Sequence, residues 1–156
     1  MSELIKFLAD GLLLVIMGVA GALAIRGVVW RRWRQLVPYA VMAGLTSLLI
    51  GKLLSLLYQP SITRPFIEHG TSAGATYMNN PGFPSDHMLF ATVVVCAVYF
   101  LTPYKKTAWL LAVAALVMGA ARVVAQVHTP LDIFGGIVAG VSGAVWYVRM
   151  AKHYDY

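Results

Sequence analysis

Charge is scarce in this 156-residue chain: Asp, Glu, Lys and Arg make up 12% of it, where soluble proteins carry about 25%, while apolar residues make up 60%. So few ionised side chains cannot surface a water-soluble globule. Acidic residues are the scarcer sign, six against twelve Lys and Arg, and the resulting charge of +6 would point to nucleic acid if the cations formed one patch. They are interspersed between apolar stretches instead, so no nucleic-acid partner is expected. Cysteine is nearly absent. The single Cys96 lies inside an apolar run, which excludes a disulfide framework and any Cys-based metal site. Period-two alternation of apolar and polar residues is missing too, which excludes a membrane β-barrel.

What the chain does contain is five uncharged runs, 11–25, 35–51, 88–104, 107–121 and 133–148, each of 15 to 17 residues. Each falls a little short of the roughly 18–20 residues that cross about 30 Å of hydrocarbon, so flanking residues must complete the spans. A soluble domain of this size has no room for five helices apolar on every side. The expected fold is therefore all-α, a membrane helical bundle with spans near 5–26, 35–58, 86–103, 106–127 and 130–149, and with 1–156 as one membrane-embedded domain.

Short loops rich in Lys and Arg stay in the cytoplasm. Arg26, Arg31, Arg32 and Arg34 fall between the first two spans, Lys105 and Lys106 between the third and fourth, and Arg149 and Lys152 after the fifth, which puts eight of the twelve cations on one side. The other side holds the N-terminus, the 28-residue connection 59–86 and the turn 122–132. The N-terminus is thus expected outside and the C-terminus inside, in a multi-pass protein of the plasma (inner) membrane. Glu3 and Asp10 cancel the cationic start that would make 1–22 a cleaved signal peptide. Trp and Tyr near the span ends, Tyr147 among them, fit an interfacial aromatic belt. Gly136 and Gly140 form a GxxxG pair, which serves close helix packing either inside the bundle or in a homodimer.

The informative residues are the polar ones that a membrane should have excluded. Arg122 stands near the outer end of the fourth span, His128 follows it, Asp132 begins the fifth, Ser85 and His87 open the third, and Arg64 lies in the outer connection. Ionisable groups so placed mark functional sites. Snorkelling explains one arginine but not two histidines, two arginines and a carboxylate gathered at one depth. Ser85 reads as an N-cap whose helix points free N–H groups and a positive dipole end outward, a ready site for phosphate. Arg64 and Arg122 add forked donors that match phosphate oxygens. Thr129-Pro130 reads as N-cap followed by N1, which puts His128 just outside the fifth helix and Asp132 within its first turn. A histidine held by that carboxylate presents its other nitrogen as base or nucleophile, and His87 is left to protonate a leaving oxygen. Lys52, twelve residues before Arg64, is either a further phosphate ligand or a snorkelling cation. Lys6, Asp10, His69 and His153 read as interface or solvent groups.

These residues resemble the type 2 phosphatidic acid phosphatase (PAP2) superfamily of integral membrane lipid phosphatases. Its third motif, S-R-x5-H-x3-D, is matched by Arg122-x5-His128-x3-Asp132, its second, P-S-G-H, by Pro84-Ser85-Asp86-His87, and the R-P ending its first by Arg64-Pro65. The form Phe83-Pro84-Ser85-Asp86-His87 looks most like the bacterial undecaprenyl-diphosphate phosphatase branch. The chain departs from the family pattern at Ala121, at Asp86 and at Leu57, where Ser, Gly and Lys would stand, and in having five spans instead of six. The resemblance implies that His128 forms a phosphohistidine, that Asp132 orients it, that His87 is the general acid, and that Arg64, Ser85 and Arg122 hold phosphate, with no metal or other cofactor. The implied substrate is a phosphorylated long-chain lipid, foremost undecaprenyl diphosphate, with phosphatidylglycerophosphate and phosphatidic acid as alternatives. Two readings of another class remain: a haem protein using His87 and His128, which lacks the usual apolar ligand pocket, and a bundle that binds or transports a phospholipid without cleaving it.

Overall fold

A computed structural model of the chain describes residues 3–28, 30–58, 64–80 and 82–153, without the side chains of Trp30 and His153, so the reading of His153 as a solvent group lies outside it. Among the described residues the fold is helical throughout. Helix α1 runs Glu3–Gly27 and contains a π-helical segment, Phe7–Gly11. It is followed by α2 (Trp30–Leu57), the single turn α3 (Pro65–Glu68), α4 (Asp86–Leu101), α5 (Lys105–Val124), α6 (Pro130–Ser142) and α7 (Ala144–His153).

Among the described residues, four stretches are long and apolar enough to cross a membrane: Glu3–Gly27, Arg31–Leu57, Lys105–Val124 and Pro130–Lys152, with mean hydropathies of 2.3, 1.9, 1.9 and 1.5. The third expected span, α4, has 16 residues and is shorter. Its place explains how it manages with fewer: α4 is the central post, packed against α1, α2, α5, α6 and α7, so its surroundings are protein. Lipid-facing character goes to the outer helices, where Leu14, Ile25 and Leu110 are about 70% exposed (72%, 73% and 69%). Large apolar side chains left in the open are costly in water and suited to hydrocarbon.

Helix boundaries differ from expectation where charge suggests a loop. Arg31, Arg32 and Arg34 lie within the first turns of α2, which starts five residues before the expected 35 and runs on through Pro38. Cations at a helix end reach the membrane interface on their own stems and need no loop. The last span, expected as one helix over 130–149, is divided at Gly143, which joins α6 to α7. A Cβ there would lie 2.4 Å from the Ala43 carbonyl oxygen of α2, so only glycine permits that approach. Tyr147, expected in the aromatic belt, is buried instead in the core between α2, α4, α6 and α7 with Leu89, Val93 and Met150. A second core joins α1, α4 and α5 around Ile16, Met88, Ala91 and Met118.

The GxxxG pair is used internally. Cβ atoms at Gly136 and Gly140 would meet the Ser85 and Leu89 carbonyl oxygens at 2.5 and 2.8 Å, so α6 lies with its backbone directly on α4. That contact brings together the N-termini of both helices, where the motif residues stand.

Candidate active site

The starts of α4 and α6 are stitched by a backbone bond, Ser85 N–H to the Asp132 carbonyl at 2.9 Å. Ser85 holds the N-cap position of α4 in extended backbone, as its sequence context indicates, but its hydroxyl makes no capping bond. It is fully buried, and its Oγ has no hydrogen-bond partner.

The start of α6 is a complete capping box. The Asp132 N–H donates to Thr129 Oγ1 at 3.2 Å, and the Thr129 N–H donates to Asp132 Oδ2 at 2.7 Å. The same Oδ2 stands 3.2 Å from His128 Nδ1. An ionised carboxylate only accepts, so Nδ1 carries the proton and Nε2 keeps a free lone pair. Burial pushes the His128 imidazole below its ordinary pKa, although its bond to Asp132 pulls the other way. The group is thereby kept neutral, the form a nucleophile needs.

Arg64 and Arg122 are both buried. Arg64 Nη1 donates to the Val127 carbonyl at 2.6 Å, and its Nη2 donates to the Met78 carbonyl at 2.9 Å and to Asn80 Oδ1 at 2.7 Å. Arg122 Nη1 donates to the Ala9 carbonyl at 3.2 Å and to Asp10 Oδ1 at 2.8 Å, and its Nη2 to the Thr76 carbonyl at 2.8 Å. In each guanidinium, three of five N–H donors are taken by the protein and Nε is left buried without a partner. For Arg64, burial lowers the pKa, countered by the nearby charges of Asp132 and Asp86.

A cavity of about 480 Å³ is lined by Arg64, Arg122, His87 and His128 together with Asn80, Asp86 and the apolar Leu13, Leu48 and Phe90, whereas Ser85 and Asp132 stand behind its lining. Leu48 and Phe90 are exposed, so the cavity wall continues onto the lipid-facing surface. Lys52 is exposed on α2 and stands apart from this cavity. It borders an adjoining one of about 210 Å³ with Ser55, Phe83 and Pro84, and Asn80 and Asp86 form the wall common to both. Among the described residues, no three His, Cys, Asp or Glu side chains group as a metal site.

Asp10 is not the interfacial group that its sequence position suggests. It forms an ion pair with Arg122 and accepts the Thr76 N–H on its other oxygen at 2.9 Å. A lone acid whose partner lies 112 positions away has no local spacing to announce it. Thr76 and Asn80 are equally hidden in the long connection.

Spacing, helix starts and orphaned donors in a helical membrane bundle point to one class of protein, and comparison bears that class out: the PAP2 superfamily profile matches residues 32–155. The chain belongs to that superfamily. Among curated proteins it is 33% identical over 120 residues to the bacitracin transport permease protein BcrC of Bacillus licheniformis, covering 72% of this chain and 54% of that protein. It is 31% identical over 109 residues to the undecaprenyl-diphosphatase BcrC of Bacillus subtilis, covering 69% and 54%. Over 162 aligned residues it is 33% identical to the putative undecaprenyl-diphosphatase YbjG of Escherichia coli, covering 99% and 78%. The chain thus spans about half the length of the two Bacillus relatives it matches. No solved structure matches it.

Proposed function

We propose that the protein is a membrane lipid phosphatase that hydrolyses a phosphate or diphosphate ester of a long-chain lipid, foremost undecaprenyl diphosphate to undecaprenyl phosphate. The observation that carries this reading is the pair of buried, unpartnered donors Arg64 Nε and Arg122 Nε in residues that line one cavity with His87 and His128, beside a third unpartnered group, Ser85 Oγ, at the start of the helix that carries His87. Each orphaned donor costs on the order of 1–3 kcal/mol unless a ligand supplies an acceptor, and a tetrahedral oxyanion offers acceptors to all three at once. Leu48 and Phe90 give an acyl or prenyl tail a path into hydrocarbon.

In this mechanism His128 Nε2 attacks phosphorus while Asp132 holds Nδ1–H and favours the charged imidazole that results. The bond to the leaving oxygen breaks, and His87 gives that oxygen its proton. Water then attacks the phosphohistidine with His87 as base, releasing inorganic phosphate and restoring His128. Arg64, Arg122 and Ser85 hold the three equatorial oxygens, where negative charge collects in the transition state. Lys52, across the shared Asp86 and Asn80 wall, reaches the lipid-side phosphate of a diphosphate. The site end of the bundle faces the extracytoplasmic side of the plasma membrane, since eight of the twelve cations belong to the opposite end. Because the GxxxG face is filled by α4, the fold offers no argument for a homodimer through it.

The test is phosphate release by detergent-purified protein from undecaprenyl diphosphate, phosphatidylglycerophosphate and phosphatidic acid, side by side. The diphosphate should be the best substrate, and His128→Ala should abolish turnover on it. Binding of these lipids without phosphate release would favour a non-catalytic carrier instead.

A further inference from the structure

The superfamily match begins at residue 32, so nothing in it speaks for the first helix, yet that helix supplies two of the three groups that hold Arg122. Both come from the π-helical segment Phe7–Gly11. A π-segment inserts one residue into a helical turn and redirects the groups that follow; such segments recur at functional sites. Here the Ala9 carbonyl and the Asp10 carboxylate converge on Nη1, and Asp10 Oδ2 takes the Thr76 N–H while the Thr76 carbonyl takes Nη2. The result is a closed ring, Arg122–Asp10–Thr76–Arg122, with the arginine side chain 2% exposed. Both Nη1 donors and one Nη2 donor are consumed, which leaves Nε–H and one Nη2–H, two neighbouring donors, for a ligand.

We propose that Asp10 is a positioning residue for phosphoryl transfer: it clamps the Nη1 end of Arg122 so that Nε and the spare Nη2 donor form a fixed fork on the substrate phosphate. This rests on the phosphatase reading above. A long arginine side chain otherwise samples many rotamers, and fixing it before the substrate arrives removes that reorganisation from the catalytic step. The first helix is on this account part of the catalytic apparatus through Arg122, although it touches no substrate atom itself.

Four full-length proteins in detergent test it: wild type, Asp10→Asn, Arg122→Lys and the double variant. Two readouts are taken on each, kcat and KM for phosphate release from undecaprenyl diphosphate, and the rise in thermal midpoint caused by orthovanadate. Beside an intact Arg122, Asp10→Asn should lower kcat at least about tenfold with KM changed less than about threefold, since misplacement by about 1 Å is enough for such losses. In the Arg122→Lys background no fork remains to be aimed, so the same change should alter kcat less than about twofold. An equal loss in both backgrounds would make Asp10 a plain tether between helices and overturn the proposal. Asp10→Glu is carried through the same cycle, keeping the charge but displacing it, so a poorly folded Asn variant does not decide the matter. If the wild type releases no phosphate from the lipid, the phosphatase reading fails while orthovanadate protection still reports on the fork: loss of protection in Asp10→Asn supports the clamp, and unchanged protection refutes it. A wild type with neither turnover nor protection would overturn both.

Discussion

Gly136→Ala adds one methyl group at a position that does not line the cavity. Its Cβ would lie 2.5 Å from the Ser85 carbonyl oxygen and 2.8 Å from Met88 Cβ, whereas ordinary contact begins near 3.4 Å. The shortfall is about 0.9 Å, and the oxygen cannot step aside, because it accepts the Leu89 N–H in the opening turn of α4. The helices must separate by about that amount at the end where α4 presents Ser85 and His87 and α6 presents His128 and Asp132. Overpacking of this kind costs about 1–3 kcal/mol, against about 1 kcal/mol returned by the better helix propensity of Ala, so stability changes little or falls modestly. Turnover should respond more strongly, by roughly 10²-fold, since about 1 Å of misplacement is known to have that effect. Gly44→Ala is the control: its Cβ would meet nothing within 4 Å, and its activity should match wild type. Phosphate release and thermal midpoint are measured together on both variants. Gly136→Ala turning over within about threefold of wild type would refute the idea that the α4–α6 contact sets the catalytic register.

The depressed pKa of His128 makes the folded chain release that proton at a lower pH than the unfolded chain, so between the two values the unfolded state binds more protons and stability falls as pH drops below about 6.5. The acid limb of kcat/KM should accordingly lie below about pH 6.5, and a limb centred above that value would contradict a buried neutral nucleophile. Lys52→Met should lower kcat/KM at least about tenfold for the diphosphate, about 1.4 kcal/mol, and less than about threefold for undecaprenyl monophosphate; equal effects on both would return Lys52 to the snorkelling class. In a Cys96→Ala background, the exposed Ser72→Cys should react with a membrane-impermeant thiol reagent on intact cells. Labelling only after lysis would place the site on the cytoplasmic side.

The catalytic candidates were legible because their chemistry is written in short spacings: a pair four residues apart in His128 and Asp132, an N-cap two residues before His87, an arginine six residues before His128. Those intervals are geometric requirements of helix ends, which local sequence specifies. Asp10 carries no such interval, because the ring it closes with Arg122 and Thr76 exists only once α1 docks on α5. Helix number and order followed from the uncharged runs, but the start of α2 did not, because arginines at a membrane interface suit a loop and a helix end equally. The break at Gly143 likewise depends on how close α2 passes, which no local pattern announces. For Lys52, the chain reads as near the candidate phosphate ligands while the structure puts it one wall away from the cavity that Arg64 and Arg122 line, a distinction of side-chain direction that helix rise alone does not resolve.

Asp132 Oδ2 receives both the Thr129 N–H that starts α6 and the Nδ1 of His128. One atom therefore both caps a helix and holds an imidazole. In many enzymes the groups that do chemistry are poor for folding, so exchanging them can stabilise the protein while it inactivates it. That separation is denied here: a substitution which frees the imidazole also uncaps the helix that presents it. On the proposed mechanism, engineering this chain for robustness will have to work around Asp132, because its tolerance to change is screened twice, first as the bundle assembles and again at every turnover.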